Sequence, residues 1–294
     1  MLRRAFAELL GSALLAATVV GSGVAASRLS PGDKGLQLLE NALVTGAVLV
    51  ALILALGPVS AAFNPVVTLV ERLLGAITTR VAAGLVVVQV LGCCLGVVLA
   101  NLMFDLPAVD VSGHDRTGSG LLLGEVVATF GLVLVVFGVV RSGRKDRVGY
   151  AVGAYITAAY WFTSSTSFAN PAITVARTLS DTFAGIAPGS VGPFVAMQVV
   201  GGLLALGAVL LLYPDAHEIA EELASCSCGS ARRPGDPRRR RCRPRPGPVR
   251  RPPPQRPRRR TRGRPPGVSA RAPAPTGPTT GCAGRCRRSR CAAP

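Results

Sequence analysis

Two stretches of this 294-residue chain place an asparagine directly before a proline in similar surroundings. An asparagine at the start of a helix accepts a backbone hydrogen bond through its side-chain oxygen, and proline suits the first turn because it lacks an N–H that would find no partner there. The amide nitrogen keeps its donors for other groups, so these motifs favour hydrogen bonding to a neutral, oxygen-bearing solute. The motifs are Asn64-Pro65-Val66, preceded by Phe63, and Asn170-Pro171-Ala172, preceded by Phe168-Ala169.

The rest of the sequence offers no competing chemistry. It has no nucleotide-binding loop and no pairing of nucleophile with base, and His114 and His217 stand alone in polar surroundings. Cys93 and Cys94 lie in an apolar stretch typical of buried thiols, and the other six cysteines lack the spacing and histidine partners of a zinc site. We therefore expect a protein that is not an enzyme and that carries neither a cofactor nor a metal.

Six apolar stretches are available to position the motifs, and a helix needs about 20 apolar residues to cross the hydrocarbon of a bilayer. The fifth is the shortest and most polar, so we expect it to face other helices rather than lipid. The pattern predicts an all-α membrane protein. The predicted spans are Ala5–Ala26, Leu36–Leu56, Val81–Phe104, Leu121–Val140, Val148–Phe162 and Val191–Tyr213.

The two halves of the chain repeat, at about residues 1–105 and 120–213, with an Asn-Pro motif after the second span of each. Because three spans per half is an odd number, the second copy must be inverted in the membrane. Each motif is too short to span and too apolar to lie in water, which predicts a re-entrant half-helix beside a cavity. The prediction is an inverted 3+3 repeat of six transmembrane helices plus two half-helices.

Half-helices that meet at their N-termini bring two positive dipole ends together at the centre of the membrane. Such a centre repels cations and protons, while the amides of Asn64 and Asn170 exchange hydrogen bonds with a passing neutral solute. The arrangement favours a passive channel. The residues expected at its pore centre are Asn64, Pro65, Val66, Asn170, Pro171 and Ala172.

Glu8 in the first span and Glu125 in the fourth occupy matching places. An ionisable residue inside a membrane is costly, and it indicates either structural pairing or function. The functional alternative is a proton-coupled secondary transporter of a small solute, with Glu8 or Glu125 as the proton carrier.

The distribution of Lys and Arg in the short connections predicts the orientation. Basic residues gather at the N-terminus and after the fourth span, whereas acidic residues dilute the connections after spans one and three. Both termini are therefore expected in the cytoplasm. The basic residues are Arg3, Arg4, Arg141, Arg144, Lys145 and Arg147.

The C-terminal part has a different composition. Residues 226–294 hold 21 of the 33 basic residues, a single acid and 15 of the 23 prolines. Such a segment cannot bury enough apolar surface to offset chain entropy, so we expect disorder, preceded by a short amphipathic helix at residues 217–225. Three interpretations remain open: a basic arm attracted to anionic lipid or nucleic acid, a regulatory arm, or the product of a shifted reading frame. The first would make the protein a membrane-anchored nucleic-acid binder, although no specific nucleic acid is expected for a channel.

The paired motifs, the two buried glutamates and the six spans resemble the aquaporin, or major intrinsic protein, family over residues 1–213. The resemblance implies a channel domain over residues 1–216 and a homotetramer in the cell membrane with one pore per subunit. It implies that water and small neutral solutes pass through the protein. It also implies that Glu8 and Glu125 brace the re-entrant loops.

The sequence departs from the usual family pattern at two places. Val66 stands where the first motif usually has alanine, and Ile173 stands where an arginine usually follows the second motif. The nearest arginine, Arg177, lies one turn further on, where it either lines the outer mouth or pairs with Asp181. By the same resemblance, the constriction is expected to include Ile173, Ser167, either Val44 or Thr45, and either Ala158 or Tyr160. These departures predict a wider, less cationic constriction that passes glycerol-sized solutes.

A bacterial branch of the family that is associated with arsenic resistance is similar over Tyr160–Pro171 and Ala176–Phe183. Undissociated arsenite is a neutral trihydroxy solute of about the size of glycerol. The resemblance therefore adds arsenite and antimonite to the expected solutes.

Overall fold

A computed structural model describes residues 1–213, and within them every regular element is helical. Short 3-10 turns follow α5 and α7, at Lys145–Arg147 and Arg177–Leu179. The predicted amphipathic helix at 217–225 and the tail at 226–294 lie outside the described residues. The helices are α1 (Leu2–Leu29), α2 (Lys34–Leu56), α3 (Pro65–Leu73), α4 (Thr79–Met103), α5 (Ser119–Arg141), α6 (Val148–Phe162), α7 (Pro171–Ala176) and α8 (Pro188–Leu212).

Five of these helices are long and apolar enough to cross a membrane: α1, α2, α4, α5 and α8. The shortest of the five has 23 residues, which corresponds to about 35 Å at the rise of an α-helix. The sixth, α6, has only 15 residues, or about 22 Å, as its short apolar stretch predicted. With the half-helices α3 and α7, they confirm the predicted fold.

The helix starts follow local capping chemistry. Asp33 and Thr78 each accept a hydrogen bond from the backbone N–H three residues on, at the starts of α2 and α4. Asn64 and Asn170 cap α3 and α7 by accepting from the backbone N–H two residues on, and Pro65 and Pro171 occupy the first turn. The two half-helices therefore begin where the sequence predicted.

Helix pairing reproduces the internal repeat. Within the repeats, α1 packs along α4 and α5 packs along α8, while the α2–α6 pair joins one repeat to the other. Close approach depends on matching glycines, because a Cβ at Gly92 would lie 2.4 Å from the Leu9 carbonyl oxygen and one at Gly201 would lie 2.5 Å from that of Val126. Small residues of this kind allow helix backbones to approach closely in membranes.

Candidate functional site

A cavity of about 680 Å³ runs between the two repeats and passes both Asn-Pro motifs. At one end it is lined by charged residues near the C-terminal end of α3, which we call the α3 end. At the other, the α7 end, it is lined by polar and apolar residues around α7. The α3 end comprises Arg4, Glu71, Lys145 and Asp146, and the α7 end comprises Thr45, Tyr160, Ser167, Ile173 and Arg177.

The two motif asparagines hold the repeats together at the middle of the cavity. The Asn64 amide nitrogen donates to the carbonyl oxygen of Ala169 at 2.7 Å, and the Asn170 amide nitrogen donates to that of Phe63 at 2.7 Å. Each side-chain oxygen accepts from its own half-helix, from Val66 N at 2.9 Å and from Ala172 N at 3.0 Å. Each amide nitrogen has a second hydrogen, and both asparagines line the cavity, so a donor remains for a solute.

The residues before the two asparagines have an unusual backbone conformation. Phe63 has a φ of 47° and Ala169 a φ of 46°, in the left-handed region that costs a non-glycine residue about 1 kcal/mol or more. This conformation aims each carbonyl at the opposite asparagine. Such strain persists only where the surrounding structure over-determines it, and the buried glutamates supply the required hydrogen bonds.

Glu8 accepts hydrogen bonds from the first re-entrant loop. It is completely buried, and its carboxyl group accepts four hydrogen bonds. The donors are Ser60 Oγ at 2.6 Å, Ala62 N at 2.8 Å, Phe63 N at 2.7 Å and Gln89 Nε2 at 2.9 Å.

Glu125 has the same place in the second repeat and is also completely buried. It accepts from Phe168 N at 3.0 Å, from Ala169 N at 2.9 Å and from Gln198 Nε2 at 2.6 Å. In every hydrogen bond described for the two carboxyls, the carboxyl oxygen is the acceptor. This geometry matches bracing better than proton transfer.

Two glutamines complete the braces, and the sequence analysis missed them. Gln89 donates to both Glu8 and Thr68 Oγ1, and Gln198 donates to both Glu125 and Thr174 Oγ1. A signal was present, because each glutamine is the eleventh residue of an apolar 25-residue helix. Each threonine likewise stands four residues after its motif asparagine.

The remaining motif residues lie behind the cavity wall. Pro65, Val66, Pro171 and Ala172 are buried and are absent from the cavity lining. Val66 packs in a cluster with residues of α5 and α8, and a Cβ added at Gly202 would lie 2.3 Å from Val66 Cγ1. The valine therefore fits because α8 has a glycine opposite it, and it does not itself widen the cavity.

Of the alternatives for the constriction, Thr45 and Tyr160 line the cavity and lie 3.4 Å apart between hydroxyl oxygens. The alternatives Val44 and Ala158 are exposed on the outer surface, Val44 by 44%, and do not reach the lumen. The physical reason is helical rotation, since adjacent residues on a helix point about 100° apart. Ser167 and Ile173 also line the cavity, and Ser167 Oγ has no hydrogen-bond partner among the described residues.

Arg177 lies at the α7 end, where it is 4% exposed and lines the cavity. Its Nε donates to the carbonyl of Ala184, and its guanidinium stacks 3.6 Å from the centre of the Phe168 ring. It does not pair with Asp181, which instead accepts from Gly113 N at 3.0 Å and lies 3.1 Å from His114 Nδ1. The expected alternative of an Arg177–Asp181 pair is therefore wrong, and His114 is not alone.

These features, a half-helix from each side and a cavity between two repeats, agree with comparisons to known proteins. Residues 1–164 match the profile of the family described as MIP, major intrinsic protein. The chain belongs to the major intrinsic protein family. It is 48% identical over 221 residues to Aquaglyceroporin AqpS of Rhizobium meliloti (strain 1021), across 75% of this chain and 94% of that protein.

Two further members show how far the similarity extends. Aquaporin NIP2-1 of Arabidopsis thaliana is 30% identical over 192 residues, which is 60% of this chain and 65% of that protein. The X-ray structure of the aquaglyceroporin from Plasmodium falciparum matches with a TM-score of 0.57 and 18% identity, over 73% of this chain and 98% of that chain. At that identity the likeness concerns the fold. The major intrinsic protein family consists of membrane channels, so this chain is a channel protein.

Proposed function

We propose that this protein is a passive channel for water and glycerol-sized neutral solutes, with arsenite and antimonite among them. The observation that carries the proposal is the cavity of about 680 Å³ that passes both motif asparagines and is lined from both repeats. The similarity to an aquaglyceroporin over 94% of that protein's length supports the solute class.

The residues at the α7 end fit polyhydroxy solutes. Thr45, Tyr160 and Ser167 offer hydroxyl groups that both donate and accept, while Ile173 offers an apolar wall. Such a lining matches a solute that has hydroxyl groups on one side and no polar group on the other. We assign the constriction to these four residues together with Arg177, and the pore centre to Asn64 and Asn170.

The charge distribution opposes the passage of cations. The N-termini of α3 and α7 meet at the centre of the cavity, and their dipoles place positive charge there. Glu8 and Glu125 do not cancel this effect in the lumen, because both are completely buried behind the re-entrant loops and are absent from the cavity lining.

The same braces favour a channel over the proton-coupled alternative. A proton carrier must alternate between a charged form and a neutral form. Glu8 and Glu125 accept every hydrogen bond described for their side chains, so protonation would weaken hydrogen bonds that hold the loops. A carboxyl with that geometry is better suited to a fixed structure.

We further propose a homotetramer in the plasma membrane with both termini in the cytoplasm. Support for the orientation comes from the basic residues at the N-terminus and in the connection after α5, which includes Arg144 and Arg147. Support for a covered outer surface comes from exposed apolar residues on the spanning helices, Leu43 and Val44 among them. In this assembly, lipid or a second subunit covers them.

Stopped-flow measurements on proteoliposomes test the function. We expect water and glycerol fluxes that increase linearly with the solute gradient and do not change when a pH gradient is imposed. Saturating flux that requires a pH gradient would establish the transporter alternative. Arsenite uptake by cells expressing the chain, compared with cells expressing Asn64→Leu/Asn170→Leu, tests the finer solute assignment.

A further inference from the structure

The segment between the repeats, residues 104–118, is fastened across the loop that follows α7. Its backbone pairs with the 3-10 turn that follows that half-helix, through Asp110 N to Leu179 O at 3.1 Å and Ser112 N to Thr178 O at 2.9 Å. Further along, Ala187 N donates to His114 O at 2.7 Å. The segment therefore lies over the 180–187 loop without contributing a residue to the cavity lining.

Arg116, near the end of this segment, joins it to the 180–187 loop through side-chain hydrogen bonds. Its Nε donates to Gly185 O at 2.9 Å, and its Nη2 donates to Phe183 O at 3.4 Å. Its backbone N donates to Ser190 Oγ at 3.0 Å, which ties the segment to the first turn of α8. A fork-shaped guanidinium satisfies two carbonyls at once, which a lysine ammonium cannot do in the same geometry.

The Phe168 ring connects Arg116 to the cavity. The Arg116 guanidinium lies 4.9 Å from the ring centre, and the Arg177 guanidinium lies 3.6 Å from it. Arg177 also donates to Ala184 O, the carbonyl between the two that Arg116 holds. The two arginines thus share one aromatic ring and three consecutive carbonyls, but only Arg177 lines the cavity.

The charges make this arrangement dependent on its hydrogen bonds. Two guanidiniums beside one ring repel each other, and the nearby carboxylate is Glu125, whose oxygens are occupied by the re-entrant loop and Gln198. Burial lowers the pKa of Arg116, with Glu125 acting in the opposite direction. The carbonyls of residues 183–185 and the shared Phe168 ring therefore stabilise two cations that would otherwise repel each other.

We propose that Arg116 is a positioning residue for solute selection, which holds Arg177 in the cavity wall through Phe168 and the carbonyls of residues 183–185. The proposal rests on the channel function. The arginine that family members place directly after the second motif is replaced here by Ile173. In this chain the cation at the α7 end comes from Arg177, which depends on a second arginine outside the pore.

Arg28 supplies a matched control. It also donates to a backbone carbonyl, Phe104 O at 2.6 Å, and also stacks on an aromatic ring, Phe104, at 5.4 Å. It is absent from the cavity lining and has no described contact with the 180–187 loop. Arg28→Gln therefore removes the same kind of interaction without reaching Arg177.

The experiment measures the ratio of glycerol to water permeability in proteoliposomes containing the full chain. We expect Arg116→Gln and Arg177→Gln to shift this ratio in the same direction by about threefold or more, the change associated with losing about one hydrogen bond. The double variant should shift it no further than Arg177→Gln alone, because coupled residues are not additive. Arg116→Lys should shift it less than Arg116→Gln, and Arg28→Gln should leave it unchanged.

A second readout does not require flux. Modification of Arg177 by phenylglyoxal, followed by mass spectrometry, should be slow in the native protein, because the residue is 4% exposed, and faster in Arg116→Lys and Arg116→Gln. Unchanged Arg177 reactivity, or additive shifts in the permeability ratio, would overturn the role of Arg116. If the native protein conducts neither water nor glycerol, the channel function fails, whereas the reactivity of Arg177 still decides whether Arg116 positions it.

Discussion

The two re-entrant regions of this protein are nearly identical at their centre and different at their ends. At the centre, each uses a buried glutamate, a glutamine from the third spanning helix of its repeat, a threonine and a capping asparagine. At the α3 end, a five-residue connection leads directly into α4, and charged residues line the cavity. At the α7 end, a longer loop is covered by the 104–118 segment and holds Arg177 in place.

The difference separates two requirements. Any half-helix that ends in mid-membrane must have its backbone groups satisfied inside the protein, and the duplicated residues meet this need in both repeats. In the proposed function the solute is selected only once along the cavity, at the α7 end, so the residues that select it need no counterpart at the α3 end. We therefore expect equivalent substitutions in the duplicated centre to affect folding equally in both repeats. Equivalent substitutions at the two ends should change permeability by different amounts, with the larger change at the α7 end.

The largest effect is expected from removing a brace. Glu8→Ala removes the acceptor of four donors, two of which are buried, and Glu125→Ala removes the acceptor of three buried donors, at about 1–3 kcal/mol per buried donor. That loss is comparable to the whole stability of a typical domain. Neither variant should yield folded protein in fluorescence-detected size-exclusion chromatography.

Thr129→Val is the control for this comparison. Thr129 is completely buried one turn after Glu125, and its hydroxyl has no hydrogen-bond partner among the described residues. We expect it to fold normally. If Glu8→Ala folds while Glu125→Ala does not, the two centres are not equivalent, and the comparison fails.

The next effect is on permeability and distinguishes the ends. Ile173 and Val67 are the third residues after their motif asparagines, and both line the cavity. An arginine at position 67 can pair with Glu71 four residues on, whereas one at position 173 is repelled by Arg177 at the same spacing and must extend into the lumen. We expect Ile173→Arg to reduce glycerol permeability about tenfold, the effect of about 1.4 kcal/mol.

Water permeability should fall less than glycerol permeability in Ile173→Arg, and Val67→Arg should have the smaller effect on both. Stopped-flow light scattering on the two variants measures this directly. Equal reductions in water permeability and glycerol permeability would show that Ile173 does not line the constriction. Equal effects of the two variants would show that the ends do not differ as proposed.

A smaller effect concerns Val66, which packs behind the cavity wall. Val66→Ala should lower the free energy of unfolding in detergent by about 2 kcal/mol, because it leaves a cavity beside Gly202. It should not change the glycerol to water ratio. Gly202→Ala should be destabilising alone and less so combined with Val66→Ala. A changed permeability ratio in Val66→Ala would mean that Val66 shapes the lumen after all.

The smallest effect is a pH dependence at the α7 end. The pKa of Asp181 is lowered chiefly by the hydrogen bond from Gly113 N and then by His114. A carboxyl whose folded pKa is lowered stabilises the fold above its ordinary pKa, and this contribution is lost as the pH falls through the folded value. We expect Asp181→Asn to lower the thermal midpoint slightly near pH 6 and not at all in strong acid. If the native protein and Asp181→Asn differ in thermal midpoint by the same amount at both pH values, the charge of Asp181 does not stabilise its contacts with Gly113 and His114.

Much of the fold was predictable because it depends on local properties. Apolar length placed the spanning helices, and the Asn-Pro pairs placed α3 and α7, since capping involves only neighbouring residues. Gln89 and Gln198 were missed although their matching positions were visible, because a single polar residue in an apolar helix has no assigned partner until the helices pack.

The sequence by itself determined the helical elements, the inverted repeat and the two motifs. It also identified Glu8 and Glu125 as residues at equivalent positions in the two repeats. Only the tertiary structure decided which side of a helix faces the lumen, as with Thr45 rather than Val44 and Tyr160 rather than Ala158. It also decided that Val66 meets Gly202 and that Arg116 reaches the loop beside Arg177. The reason is that helix rotation and contacts between distant segments depend on packing across the whole bundle.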